Sequence, residues 1–308
     1  MDSIPAFFYS NVFSHLSHRS LHLIAAEFRQ SRFGSEARRY IGVNPDTTLQ
    51  IFRDNVAPSH VLYLYSIRGF RPHAIFKQPE VIPINELHNS VFKNVLFGKK
   101  AEFANVENRE ITTTFLRDVR TSELWNYVAA DACLSITDAA KDAGYVIDVL
   151  KDKICELEIQ DYMRTSHAFE KHLRALFPGR TFKKVTIKDS YVQDETIFDL
   201  IFQHTDEVEI NQMYPPGATG DYCSSVLKRL ACLMKLAEKE KNRPRIVKYT
   251  IKPLNGPLNN FFADLEERGF VRTLDSDQIK QFKLDIEHSH FYIAIYDDMV
   301  VVRISIVK

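Results

Sequence analysis

Between residues 153 and 269 the sequence repeats one local texture that limits what this chain can become. A short run carries two apolar residues about one polar residue, as in Leu157-Glu158-Ile159, Val185-Thr186-Ile187 and Val208-Glu209-Ile210. A longer amphipathic stretch follows each run. Alternation of period two predicts a strand, and apolar residues three and four apart predict a helix. Strands are expected over 153–161, 182–189, 206–213 and 245–254. Helices are expected between them and again before Gly269, which suits a helix end. Strands that alternate with helices in this way pair parallel, because each crossover helix returns the chain to the same end of the sheet.

From Ile159 to Ile187 to Ile210 the spacing lies within the roughly 20–29-residue period of leucine-rich repeats, and the next step, to Ile251, is longer. The expected fold class is α/β, with an irregular leucine-rich-repeat-like strand–helix arc. The stretch "HFYIAIYDDMVVVRISIV" predicts a C-terminal β-hairpin over 289–308 that caps the last edge of the sheet. Upstream, "HVLYLYSI" and "VFKNVLFG" read as strands. "ITTTFLRDVRTSELWNYVAADAC" reads as mostly helical, with Leu116, Leu124 and Val128 inward. "DAAKDAGYVIDVLK" reads as a helix. Trp125, the single tryptophan, sits among apolar positions and is expected in the core.

Composition narrows the function classes. Forty basic and forty acidic residues leave no net charge, so composition gives no reason to expect a nucleic-acid partner. Ten glycines in 308 residues disfavour Gly-rich phosphate loops. Cys133, Cys155, Cys223 and Cys232 form no CxxC pair and read as reduced thiols. No apolar run is long enough to span a membrane and the N-terminus has no basic n-region, so a cytoplasmic or nuclear location is expected. None of the motifs G-x-S-x-G, H-E-x-x-H, G-x-x-x-x-G-K-[ST] or G-x-G-x-x-G occurs, so no catalytic residue is assigned and a non-enzyme is expected. His15, His18 and His22 lie at steps of three and four. Ser17–Ser20 interrupts the helix and no Cys or acidic fourth ligand is nearby, so surface histidines are expected rather than a metal centre. His288 and His290 read the same way. Asp297-Asp298 reads as turn chemistry, and "KEKNRPRIVK" as a solvated helix end. No cofactor is expected.

The first 40 residues read as helical and unusually apolar. Ile4, Phe8, Val12, Leu16 and Leu23 recur near helical spacing, and Phe7 and Phe13 widen the stripe. Asp2, Ser3 and Pro5 suit a helix start. A second helix is expected from Ser20 to about Ser31, with Leu21, Ile24, Ala25 and Phe28 inward. Gly34 and "SEARRY" then lead out. This stripe exceeds what packing on one side needs.

In this region the sequence resembles an F-box, the helical module that docks onto the adaptor of SCF-type ubiquitin ligases. Ile4-Pro5, Phe8, Val12, Phe13, Leu16 and Leu21 occupy the motif's apolar places, and Ala25 falls where a small residue is common. Phe7 stands where an acidic residue commonly follows, and Ser31 where a tryptophan usually ends the motif. The layout of the remainder resembles the F-box-like proteins expanded in nematodes. The resemblance implies an F-box-like module over 1–42 and a recognition domain over 43–308. It implies adaptor contacts through Ile4, Pro5, Phe8, Val12, Phe13, Leu16 and Leu21, and a protein target held by outward strand residues such as Glu158, Thr186 and Glu209. The implied function is substrate recognition for a ubiquitin ligase, without nucleic acid or membrane. The alternatives are a scaffold with no ubiquitin role and an enzyme with an unrecognised site.

Overall fold

The strand–helix alternation forms where the pattern places it, but the architecture around it is not a repeat arc. The computed structural model describes residues 12–13, 18–41, 47–53, 61–68, 80–82, 84, 92–98, 107, 110–137, 141–160, 166–190, 192, 196–213, 222–239, 245–252, 258–286, 289–296 and 299–306. Two compact units are distinguished, residues 1–156 and 157–308.

In the first unit, helix α1 (His18–Glu27) is followed by α2 (Arg32–Ile41). "SEARRY", expected to lead out, is helical. Ser31 explains the tight connection. Its hydroxyl accepts from the Gly34 amide at 3.2 Å, which satisfies one of the orphan donors at the start of α2. The same hydroxyl donates to the Phe28 carbonyl at 3.0 Å. Arg38 reaches back from α2 to the Ala25 and Arg29 carbonyls at 3.4 and 3.0 Å, tying down the end of α1.

The sheet of this unit is mixed. Strand β1 (Thr47–Phe52) pairs antiparallel with β2 (Val61–Arg68) and parallel with β4 (Phe92–Phe97). Strand β6 (Val128–Ile136) adds parallel to β4. Two short strands, β3 (Glu80–Ile82) and β5 (Thr112–Phe115), share the far side of β2. Thus "ITTTFLRDVRTSELWNYVAADAC" is two strands joined by 3-10 turns, not a helix. The threonine run and the Val-Ala-Ala-Asp-Ala-Cys alternation win over the spaced leucines. Trp125 is buried as expected, with its indole N–H donated to the Val119 carbonyl. Helix α3 (Lys141–Leu150) buries Ala143, Val146, Ile147 and Leu150.

The second unit begins within β7 (Ile154–Gln160). Helix α4 (His167–Leu176), capped by Ser166, leads to β8 (Phe182–Ser190). Helix α5 (Thr196–His204) leads to β9 (Thr205–Met213), and α6 (Tyr222–Lys239) to β10 (Arg245–Lys252). Strands β8, β9 and β10 are parallel neighbours. Helix α7 (Leu258–Glu267) ends at Gly269, whose φ of +88° is a backbone state glycine adopts without strain.

Four antiparallel strands complete the sheet: β11 (Val271–Asp275), β12 (Ile279–Ile286), β13 (Ser289–Tyr296) and β14 (Met299–Ile306). Their spatial order is β10, β14, β13, β12, β11. The hairpin β13–β14 forms as expected, but it is interior, and the exposed β11 is the edge. A strand order with four successive antiparallel partners, beside a first unit whose sheet is itself mixed, overturns the leucine-rich-repeat-like arc. Such an arc needs every strand parallel to its predecessor. The fold is α/β with mixed sheets.

One face of the second sheet is apolar and helix-covered. The row Ile187, Ile210, Tyr249, Val302, Ile293, Phe282 lies in register across six strands. Phe198 and Phe202 of α5 meet the Tyr249 ring at 6.1 and 6.4 Å, and Phe262 of α7 stacks on Phe282 at 5.7 Å. Arg229 of α6 lies over the Phe198 ring at 4.7 Å. Right-handed crossovers between strands that advance in one direction put every helix on the same side.

Candidate protein-binding surfaces

Two surfaces hold the residues that the sequence singles out. The first is the helix pair α1–α2. Phe13 is 1% exposed and meets the Phe33 ring at 4.9 Å, which corrects its assignment as an adaptor contact, and Ala25 and Ala37 are buried. This small interface is therefore already filled. Leu23 is nevertheless 57% exposed and Phe28, expected inward, is 40% exposed. Phe28 meets the Phe33 ring edge-on at 5.5 Å. Arg29 and Arg32 flank it in solvent. Val12 is half-buried. Ile4, Pro5, Phe7, Phe8 and Leu16 lie outside the described residues, as does the side chain of Leu21.

The second surface is the other face of the second sheet. The rings of α5 and α7 pack on the opposite, apolar face. The central row of the second surface runs Thr186, Glu209, Lys248, Arg303, Tyr292, Lys283, Val271 in strict register. The three strand residues singled out from sequence fall on this face together, because odd and even positions of a strand part to opposite sides. Thr186, though, is only 5% exposed, which corrects its assignment as an outward contact. It lies opposite Glu209 in a polar ladder flanked by lysines, and little of it reaches solvent.

Glu158 and Glu209 are engaged within the sheet. Lys188 Nζ donates to Glu158 at 2.6 Å, and Lys248 Nζ donates to Glu209 at 3.0 Å. The bond to Glu158 raises the Lys188 pKa above the ordinary lysine value, with Glu158, Glu209 and Asp189 adding attraction against a smaller cost of burial. The bond from Lys248 holds the Glu209 carboxyl below the ordinary carboxylate range, against the opposing cost of burial. The like-charged columns of β8 (Lys184, Lys188) and β9 (Glu207, Glu209) thus alternate across strands, and cross-strand pairs of this kind fix register on a solvent face.

The sign of the linkage yields a prediction. A lowered folded pKa means that Glu209 contributes stability above its unfolded pKa, and that the contribution disappears as pH falls through the folded value. Glu209→Gln should therefore destabilise the protein at neutral pH by no more than ~1 kcal/mol, since the pair is partly exposed. The deficit against wild type should shrink as pH falls below the ordinary carboxylate range, as measured by urea unfolding at neutral and acid pH. A deficit that persists unchanged at acid pH would show that the carboxylate charge is not its source.

At the carboxyl ends of the parallel strands, where open α/β sheets hold ligands, Asn211 donates to Asp189 at 2.9 Å and Tyr249 donates to Gln212 at 2.8 Å. Asp189 sits at φ +51°, beside a break in the β8–β9 register. These contacts are amide, hydroxyl and carboxylate bonds within the rim and set up no nucleophile–base pair. Burial pushes the Cys232 thiol up to about 11, the reverse of what a reactive cysteine needs. Among the described residues no three His, Cys, Asp or Glu side chains converge on a metal position. His290 bonds Asp285 at 2.7 Å on the surface, while His15 and His288 lie outside the described residues. No described helix is long and apolar enough to cross a membrane.

No protein-family model matches the sequence, and no curated protein matches it. Among solved structures it is similar to a Pyrococcus horikoshii protein whose crystal structure is titled that of a "putative RNA methyltransferase". The two are 13% identical over 60% of this chain and 67% of that one, with a TM-score of 0.19. At that score the likeness carries no argument about fold or activity.

Proposed function

We propose that this chain is a substrate-recognition subunit of an SCF-type ubiquitin ligase, with the α1–α2 pair gripping the adaptor and the face of the second sheet opposite α5 and α7 engaging a target. The observation that carries the reading is the exposure of Leu23 and Phe28 on a helix pair whose own interface is already filled by Phe13, Ala25 and Ala37. Burying a Leu or a Phe side chain fully is worth ~1.5–3 kcal/mol, so two such side chains can anchor a partner. The chain would break no bond. It would hold the target close to a separate catalytic subunit, and proximity alone is a large rate factor.

The test is gel filtration of the purified chain mixed with the SCF adaptor. Wild type is expected to co-migrate, and Leu23→Asp/Phe28→Asp to bind roughly 30-fold more weakly or worse. Both positions are exposed, so the variant should keep its unfolding midpoint. Failure of wild type to co-migrate, or equal binding by the folded variant, would remove the ligase reading.

A further inference from the structure

We infer that Arg38 is a positioning residue for adaptor docking: its guanidinium fixes the turn that presents Phe28. This rests on the reading of α1–α2 as the adaptor-binding surface. It adds to that surface a residue that acts through an anchor rather than as one.

Phe28 lies directly after α1, in the connection to α2. Exposed connections are ordinarily the least restrained backbone of a helix pair. This one is held closely. The Phe28 amide donates to the Ile24 carbonyl at 3.0 Å, and the Phe28 carbonyl accepts from the Ser31 amide and hydroxyl, each at 3.0 Å. Arg38 Nη1 donates to the Ala25 carbonyl at 3.4 Å and Nη2 to the Arg29 carbonyl at 3.0 Å. Those two carbonyls stand on either side of Phe28 in the chain. The first belongs to the last turn of α1, whose carbonyls a helix end leaves for outside donors. A guanidinium is rigid and planar, so holding both carbonyls at once fixes the spacing between them.

The side chain carried by this backbone is 40% exposed. Its own chain covers it in part, with the Phe33 ring edge-on at 5.5 Å. The restraint therefore falls on an apolar group that is held out rather than packed away. A partner that receives the ring has less ordering left to offset, and affinity rises without any contact from Arg38 itself. The large aromatic anchor is the group for which such preorganisation matters most, because a few such side chains carry most of the binding energy of an interface.

The experiment is a double-mutant cycle on adaptor affinity, measured by calorimetric titration of the full chain, joined to hydrogen exchange of the free chain. Arg38→Met keeps the length and helix propensity of the side chain and removes the fork. It should weaken adaptor binding ~5–10-fold while the global unfolding midpoint is retained. In a Phe28→Ala background the same change should cost less than ~2-fold, because Arg38 acts through the ring. Arg38→Lys, with one ammonium in place of the fork, should fall between Arg38→Met and wild type. In the free chain, Arg38→Met should speed exchange of the Phe28 and Ser31 amides ~10-fold and leave β8–β10 unchanged. Equal losses of affinity in both backgrounds would place Arg38 against the adaptor and overturn the inference. Unchanged exchange at Phe28 and Ser31 would overturn it independently of any adaptor. Faster exchange with no adaptor binding by wild type would remove the ligase reading, and the docking role of Arg38 with it, while leaving the clamp on the turn.

Discussion

Gly34→Ala is expected to unfold the α1–α2 pair. A Cβ built on Gly34 would stand 2.0 Å from the Phe28 carbonyl oxygen and 2.5 Å from its carbon. The obstacle is backbone, so no rotamer change can relieve it. The Phe28 carbonyl is also fixed in place, accepting from the Ser31 amide at 3.0 Å and from the Ser31 hydroxyl at 3.0 Å. Alanine is the better helix former by ~1 kcal/mol, so propensity alone predicts a gain. Overpacking ordinarily costs ~1–3 kcal/mol, and a clash with fixed backbone belongs at or beyond the upper end of that range. The net expectation is a loss of at least ~2 kcal/mol in the stability of this pair. Hydrogen exchange of amides 20–41 in wild type and variant measures it directly. Unchanged or slower exchange would contradict the close approach of α2 to the end of α1.

Phe198→Ala should produce the largest loss in the second unit. The ring is fully buried. It packs edge-on to Tyr249 at 6.1 Å and carries the Arg229 guanidinium at 4.7 Å. Removing it opens a cavity between α5 and the sheet, and a buried Phe→Ala change costs ~3–5 kcal/mol. Arg229 aggravates the loss. It is 4% exposed, and its guanidinium, which pairs with Asp199 at 3.5 Å, would lose the face of the ring. Phe198→Leu keeps most of the volume but not the π face, so the difference between the two variants reads the cavity, and the residual loss of Phe198→Leu against wild type reads the ring's own contacts with Tyr249 and Arg229. Chemical unfolding followed by circular dichroism reads both. A loss below ~1 kcal/mol for Phe198→Ala would contradict the packing of α5 on Tyr249.

The sequence made the second unit legible for a local reason. In Val185-Thr186-Ile187 and Val208-Glu209-Ile210 the period of two is carried by β-branched residues with polar residues between. The alternation therefore predicts both the strand and which of its sides is polar. Glu158 and Glu209 were placed on one face by this alone. What the alternation could not supply was distance across strands. That Lys188 would answer Glu158, and Lys248 would answer Glu209, depends on register between separate segments. The low exposure of Thr186 depends on the long neighbours around it.

Strands β11 and β12 were missed. "VRTLDSDQIKQFKLDI" mixes charges with single apolar residues, and its strand character comes from pairing with β13 rather than from composition. The 3-10 segment before β6 was read as helix because leucines at helical spacing are ambiguous over short runs. At the N-terminus Gly34 is expected to lead out after the second helix. Its role is close approach, which only a three-dimensional neighbour reveals. Phe28 was placed inward by helical periodicity, which marks an apolar side chain without saying whether its own chain or another covers it.

Hydrogen exchange of the full chain with and without the SCF adaptor tests the central claim most directly, because it reads both surfaces in one measurement. Addition of the adaptor should slow exchange across residues 18–41, centred on Leu23 and Phe28, and leave β11–β14 unchanged. No protection of the helix pair, or protection that falls on the sheet instead, would contradict the assignment of the two surfaces to two different partners.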